Sequence, residues 1–381
     1  MSNGVTAEAT EPQRRKFLRN ATLGAVGATL ATALPASRAS AEELDCRVPA
    51  ALLADRQAFE IFCRNFFNAF DTLQVDATLA FYADNGVQED QTLGDLSGVV
   101  GGVPQPVCGL APKSSIAIAF NKLFEKFRAS PGPGNVSKFI HATGSMKFGG
   151  GVDFRSMPGT FRTSGYDLLG YLDIRDGKVF RRTDVWDTAE VSAADIDAIH
   201  TGNVPKLSCL AGPEPGDIAN ASLGMLNFTR ALHEALSSGE VGRVLQFFDD
   251  SATLIHPLLR TDASATLDAD SGSYGPFNRG IQIQGRSAIA RFFKAVLPLL
   301  PDGRSSSLVH VVGAETGGAF EWRGGGIYAQ QGIARNGIGG ATAVDLFAGR
   351  ITRMSVKFDT LQMGAEQRAA VKHALAGECL V

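Results

Sequence analysis

Several familiar sources of chemistry are missing from this sequence. No GxGxxG follows a strand-like segment, no phosphate-binding loop or G-x-S-x-G occurs, and no cluster of histidines, cysteines and carboxylates has metal-ligand spacing. Nucleotide, metal and serine-triad mechanisms therefore have no support, and the reading includes no cofactor and no metal. The five cysteines, Cys46, Cys63, Cys108, Cys209 and Cys379, match no zinc or haem pattern, and their odd number leaves at least one thiol unpaired. Cys63 lies in an apolar helical pattern and reads as a buried structural thiol.

What the N-terminus does contain is a run, Arg14-Arg15-Lys16-Phe17-Leu18-Arg19, followed by an uncharged stretch from 21 to 34 and by Ala39-Ser40-Ala41. Paired arginines, a short apolar segment and a small-x-small cleavage site in that order resemble a twin-arginine export signal. Residues 1–41 are expected to be removed, which places the mature chain in the periplasm. Their loss takes five basic and two acidic residues from the totals of 36 and 39, leaving 31 and 37. A net charge near −6 speaks against nucleic acid and anionic membranes as partners. No later segment is apolar for long enough to span a bilayer, so no integral membrane segment is expected in the mature form.

The remaining chain repeats itself. Residues 173–188 lie over 345–360 without a gap, with Asp173, Gly177, Arg181, Asp187 and Thr188 matched by Asp345, Gly349, Arg353, Asp359 and Thr360. FYADNGVQED from Phe81 likewise matches FFDDSATLIH from Phe247. Each half runs long helix (53–70, 225–236), short helix (75–82, 241–248), strand, third helix (113–127, 286–297) and then alternating segments (137–187, 305–359) with turns at Asp176-Gly177 and Ala348-Gly349. Asp71 and Ser237 or Ser238 are candidate caps for the short helices. Helices first and strands afterwards is the α+β pattern, with duplicated domains at 42–200 and 218–381 joined by a Gly- and Pro-rich linker at 201–217.

With FYADNGVQED, FFDDSATLIHP, GRSAIARFFKAVL and AGRITRMSVKFD as the matching motifs, each half resembles the nuclear transport factor two superfamily, in its SnoaL-like and ketosteroid-isomerase-like branches. The resemblance implies two tandem cone-shaped domains, each a curved antiparallel sheet wrapped around about three helices and enclosing an apolar pocket. It also implies a general base at the end of the first strand, a position held by Asp90 in the first half and His256 in the second. The isomerase-type oxyanion pair is missing, since Phe66 and Leu232 stand near its tyrosine position and Gly170 and Thr342 near its aspartate position. Steroid isomerisation by that mechanism is not expected.

Counting by twos along the last strand directs Arg182, Asp184 and Trp186 into the first pocket, where the second half has Met354, Val356 and Phe358. A slip of one residue would turn Arg182 and Asp184 outward instead. Asp90, His141, Asp184 and His256 are the candidate proton carriers, and Tyr166, Arg182, Trp186 and His310 the candidate substrate contacts. Two functions remain open. One is a cofactor-independent lyase or isomerase acting on a hydrophobic, aromatic small molecule, and the other a non-catalytic periplasmic ligand-binding or interaction protein. Whether it forms a homo-oligomer is left open by the sequence.

Overall fold

Phe59, Cys63, Phe66, Phe67 and Phe70 recur at helical spacing, and all five are buried on one face of helix α1 (Ala50–Asp71). They come from a computed structural model that describes residues 49–90, 113–129, 137–156, 166–187, 219–259, 282–299, 306–324, 338–360, 363 and 365–380. The export signal at 1–41, the linker at 201–217 and Cys46, Cys108 and Cys209 lie outside the described residues. Both described cysteines are free, Cys63 buried and Cys379 exposed.

After α1 come α2 (Val75–Leu79), β1 (Tyr82–Asp90), α3 (Lys113–Ala129) and the strands β2 (Ser137–Ser145), β3 (Gly149–Ser156), β4 (Tyr166–Arg175) and β5 (Lys178–Trp186). The second half begins with β6 (Ala219–Ala221), then α4 (Leu223–Ser238), α5 (Val241–Leu245), β7 (Phe248–Ile255), β8 (Gln282–Gln284) and α6 (Arg286–Val296). It ends with β9 (Ser306–Ala314), β10 (Gly317–Gly324), β11 (Ile338–Phe347), β12 (Arg350–Phe358) and α7 (Ala365–Gly377). The short helices stop earlier than their apolar pattern suggests, because Tyr82 and Phe248 already start strands. Neither expected cap serves them. Asp71 accepts from the backbone and hydroxyl of Ser137, tying α1 to β2, and Ser238 accepts from the N–H of Glu240 just before α5. Ser222 does cap α4, its hydroxyl accepting from the N–H of Met225, a contact worth about 1 kcal/mol.

Among the described residues the strands form two sheets, ordered β1-β5-β4-β3-β2 and β6-β9-β10-β11-β12-β7-β8. The sheets are mixed, which corrects the expectation of purely antiparallel ones: β1 pairs with β5, β7 with β12 and β6 with β9 in parallel. Each of these strands precedes a helix that crosses the sheet before the chain returns, and such a crossover brings strands back parallel. Helices cover one face of each sheet. The other faces meet each other through Leu169, Tyr171, Val185, Val312, Ala319, Ala341 and Ala343, within one compact unit, Cys46–Val381. Gly151 allows this approach, since a Cβ there would stand 2.6 Å from the Cβ of Ala343.

The equivalent hairpin turns pair Asp176 (φ 50°) with Gly177 (φ 70°) and Ala348 (φ 49°) with Gly349 (φ 74°). Two successive positive φ values match the right-handed twist of the flanking strands. Alanine gains nothing from a left-handed backbone and its Cβ resists it. Ala348→Asn is therefore expected to stabilise the protein by roughly 0.5–1 kcal/mol, seen as a higher urea midpoint at unchanged slope.

Candidate functional site

Both faces of β5 are buried. Arg182, Asp184 and Trp186 point to the helices, and Thr183 and Val185 to the second sheet. A one-residue slip would have placed Arg182 and Asp184 against the other half of the chain, not in water.

On the helix side the guanidinium of Arg182 clasps Asp184 in a fork, Nε to Oδ1 at 2.9 Å and Nη2 to Oδ2 at 2.8 Å. Gln88 of β1 donates from Nε2 to Asp184 Oδ2 at 3.2 Å. Tyr82 in turn donates its hydroxyl to Gln88 Oε1 at 2.6 Å, which fixes the amide with its NH2 toward Asp184. Aromatic rings close around the cation: the guanidinium carbon of Arg182 lies 5.1 Å from the ring centre of Phe66, 5.7 Å from Phe67, 5.9 Å from Phe70 and 5.4 Å from Phe154. Arg182 is 3% exposed and Asp184 9%. Burial lifts the Asp184 carboxyl above its ordinary pKa, although Arg182 and Gln88 pull it down. Burial also pushes the Tyr82 phenol up to about 12 and raises the Cys63 thiol, so both stay neutral near pH 7.

One nitrogen of this cluster is left over. Nη1 of Arg182 is buried and makes no hydrogen bond among the described residues, although the Tyr82 oxygen lies near enough to help hold the charge. Asp90 closes β1 opposite Asp184 in the strand register. The side chains of Asp90 and Tyr166 lie outside the described residues. Trp186 is fully buried in the first core.

The structure takes His141 and His310 away from this cluster. Both face the seam between the sheets, where His141 Nε2 lies 2.7 Å from Asp345 Oδ2 and His310 Nε2 lies 3.3 Å from Asp173 Oδ2. The two contacts are the same pair in opposite directions. Arg56 also reaches Asp345, and Arg175 and Asn220 reach Asp173. Burial raises both carboxyls, but these partners outweigh it and hold both below the ordinary range. A second crossed set joins Arg181 to Glu321 at 2.8 Å and Arg353 to Asp153. As proton carriers for a ligand between helices and sheet, His141 and His310 are on the wrong face of their strands.

His256 also stands apart, in the second half. Its Nδ1 accepts from the N–H of Leu258 at 3.3 Å, starting the short turn Pro257–Leu259 and leaving the proton on Nε2. The ring packs 4.7 Å from Phe292 and 5.6 Å from Phe358. Burial, with Lys357, lowers its pKa to about 3. A neutral, weakly basic imidazole among aromatic rings is a poor general base. The second-half core holds Met354, Val356 and Phe358 at the strand positions where the first half has Arg182, Asp184 and Trp186. Trp322, absent from the sequence reading, adds its indole N–H to the Thr342 hydroxyl at 3.0 Å.

Sequence reasoning also missed Gln88, Tyr82 and the phenylalanine cage. Gln88 could have been found by strand parity, two residues before Asp90, and the cage from the α1 pattern. Among the described residues no group of three or more His, Cys, Asp or Glu side chains is placed to hold a metal ion, and no helix is long and apolar enough to cross a membrane.

No protein-family profile and no curated protein matches the chain. Solved structures do. A SnoaL-like protein of unknown function from Burkholderia thailandensis is 12% identical, with a TM-score of 0.27, over 35% of this chain and 94% of its own. An NTF2-like protein of unknown function from Mesorhizobium loti is 12% identical, with a TM-score of 0.25, over 36% and 93%. An NTF-2 like protein of unknown function from Burkholderia xenovorans is 14% identical, with a TM-score of 0.24, over 36% and 83%.

The His256 environment has a measurable cost in acid. Its folded pKa, about 3, lies below the 6.5 of a free imidazole, so between those values the unfolded chain takes up a proton that the folded chain refuses. Stability should fall with pH across that window by up to about 1.4 kcal/mol per pH unit, and not above it. His256→Phe is expected to flatten this contribution in urea midpoints measured from pH 7 to 4. An unchanged slope would show that water reaches the ring.

Proposed function

We propose that this chain is a periplasmic, cofactor-independent acid/base enzyme, a lyase or isomerase acting on a hydrophobic, aromatic small molecule. In this reading its halves are diverged copies of one cone-shaped domain, and the first carries the chemistry. The observation that supports it is Asp184: a buried carboxylate aimed by Gln88 and by Arg182, whose guanidinium lies among phenylalanine rings, with its proton affinity raised by burial. A carboxyl moved toward neutral pKa in an apolar setting can take a proton from a substrate and return it. Trp186 and the phenylalanines would face the aromatic part of the substrate. The second half, with apolar side chains at the matching positions and a weakly basic His256, would act as partner scaffold.

The second reading, a ligand-binding protein without turnover, is favoured by the tightness of the clasp. A carboxylate held by both ends of a guanidinium accepts a proton poorly until a ligand draws the arginine away.

Small molecules extracted from the purified protein and identified by mass spectrometry supply the compound to assay. Asp184→Asn should retain that compound and lose about 10² to 10⁴ in turnover, the usual loss of a general acid/base group. Turnover within twofold of wild type would end the Asp184 assignment, and no turnover by wild type would favour the binding reading. Export has its own test: Arg14→Lys combined with Arg15→Lys should leave the precursor in the cytoplasm. A normal periplasmic yield from that variant would rule the twin-arginine route out.

A further inference from the structure

The first-half cluster is charge-balanced but not satisfied. Arg182 and Asp184 neutralise each other, while Nη1 of Arg182 completes no hydrogen bond among the described residues, the nearby hydroxyl oxygen of Tyr82 being already engaged with Gln88. An unmade hydrogen bond on a buried cation costs on the order of 1–3 kcal/mol or more. The first half keeps such a group where the second half is satisfied with methionine. Around the guanidinium that carries this nitrogen stand the rings of Phe66, Phe67, Phe70 and Phe154. The partner it lacks is an acceptor, the partner that suits a guanidinium best is a carboxylate, and the walls suit an aromatic ring.

We propose that Nη1 of Arg182 seats the carboxylate of an aromatic carboxylic acid, and that binding takes up one proton, shared between the ligand carboxyl and Asp184. This rests on the reading of the first half as the ligand site and names the class of ligand. The proton follows from charge. Among the described side chains, the titratable groups packed around the guanidinium are Asp184 on β5, Tyr82 on β1 and Cys63 on α1, and the last two are neutral. Arg182 alone then faces two carboxylates in a site closed to water. Like charges so placed do not both stay ionised, and one of them keeps a proton. Nη1 has no accessible surface, so side chains of the cage must give way as the anion enters and its hydration is shed.

The test is isothermal titration of the purified protein with benzoate, cinnamate and 2-naphthoate, each against its own amide, from pH 5 to 8. At least one acid should bind tenfold or more tighter than its amide at pH 6. Its Kd should then rise about tenfold per pH unit toward pH 8, as uptake of one proton requires. Arg182→Met should abolish the preference for the acid, and Arg182→Lys should keep part of it. Asp184→Asn should keep the preference and remove the pH slope, since the competing carboxylate is gone. Should Arg182→Met not fold by circular dichroism, wild type and Arg182→Lys still decide the matter. Acids that bind no better than their amides at any pH, or a preference without a pH slope, would overturn the proposal. Turnover of a neutral aromatic alongside no acid preference would overturn it and leave the acid/base reading standing. Acid preference with no turnover and no solvent deuterium exchange into the bound ligand would support it and remove that reading.

Discussion

Face-to-face packing of the two sheets is the constraint on which the rest of this molecule depends. It removes water from the outer faces of β4, β5, β10 and β11, and small side chains at Gly151, Ala319, Ala341 and Ala343 let the sheets approach. A charged residue on that seam must find its partner in the other half, because an unpaired buried charge is costly. His141 with Asp345, His310 with Asp173, Arg181 with Glu321 and Arg353 with Asp153 answer that requirement in two related sets. Breaking one member leaves the other buried and unpaired, so these pairs specify how the halves meet more than they add net stability.

The seam also accounts for several of the identities between the two halves. Asp173 and Asp345, and Arg181 and Arg353, are identical because each contacts the opposite half through the same interaction. Gly177 and Gly349 are identical because both hairpins need a positive φ at that residue. On the helix side no such symmetry is imposed, and there the halves differ most. Arg182 and Asp184 replace Met354 and Val356, while Phe154 and Gly170 replace Trp322 and Thr342. The shared face holds the molecule together, and the divergent face carries the candidate chemistry.

The long helix, short helix, first strand, third helix and later strands of each half, the twin hairpin turns and the inward direction of Arg182, Asp184 and Trp186 were legible in the sequence, because they follow from local periodicity and from glycine at strained backbone positions; the short strands β6 and β8 and the C-terminal helix α7 were not. The parallel pairing of β1 with β5 was not, since strand direction depends on the path of an intervening crossover. Nor was the burial of both faces of β5: alternation describes one strand and says nothing of a second sheet behind it. For the same reason His141 and His310 looked like free proton carriers. Matching positions along a chain are visible in a sequence, but their partners 204 and 137 residues away are not.

The sequence by itself therefore determined the main element types and the more polar character of positions 182, 184 and 186, all properties of neighbouring residues. Only the tertiary structure decided that Gln88 and Tyr82 aim Asp184, that phenylalanines of α1 and β3 surround Arg182, and that Nη1 of Arg182 makes no hydrogen bond among the described residues. Those outcomes depend on which side chains share a dry volume, and distance along the chain carries no information about that.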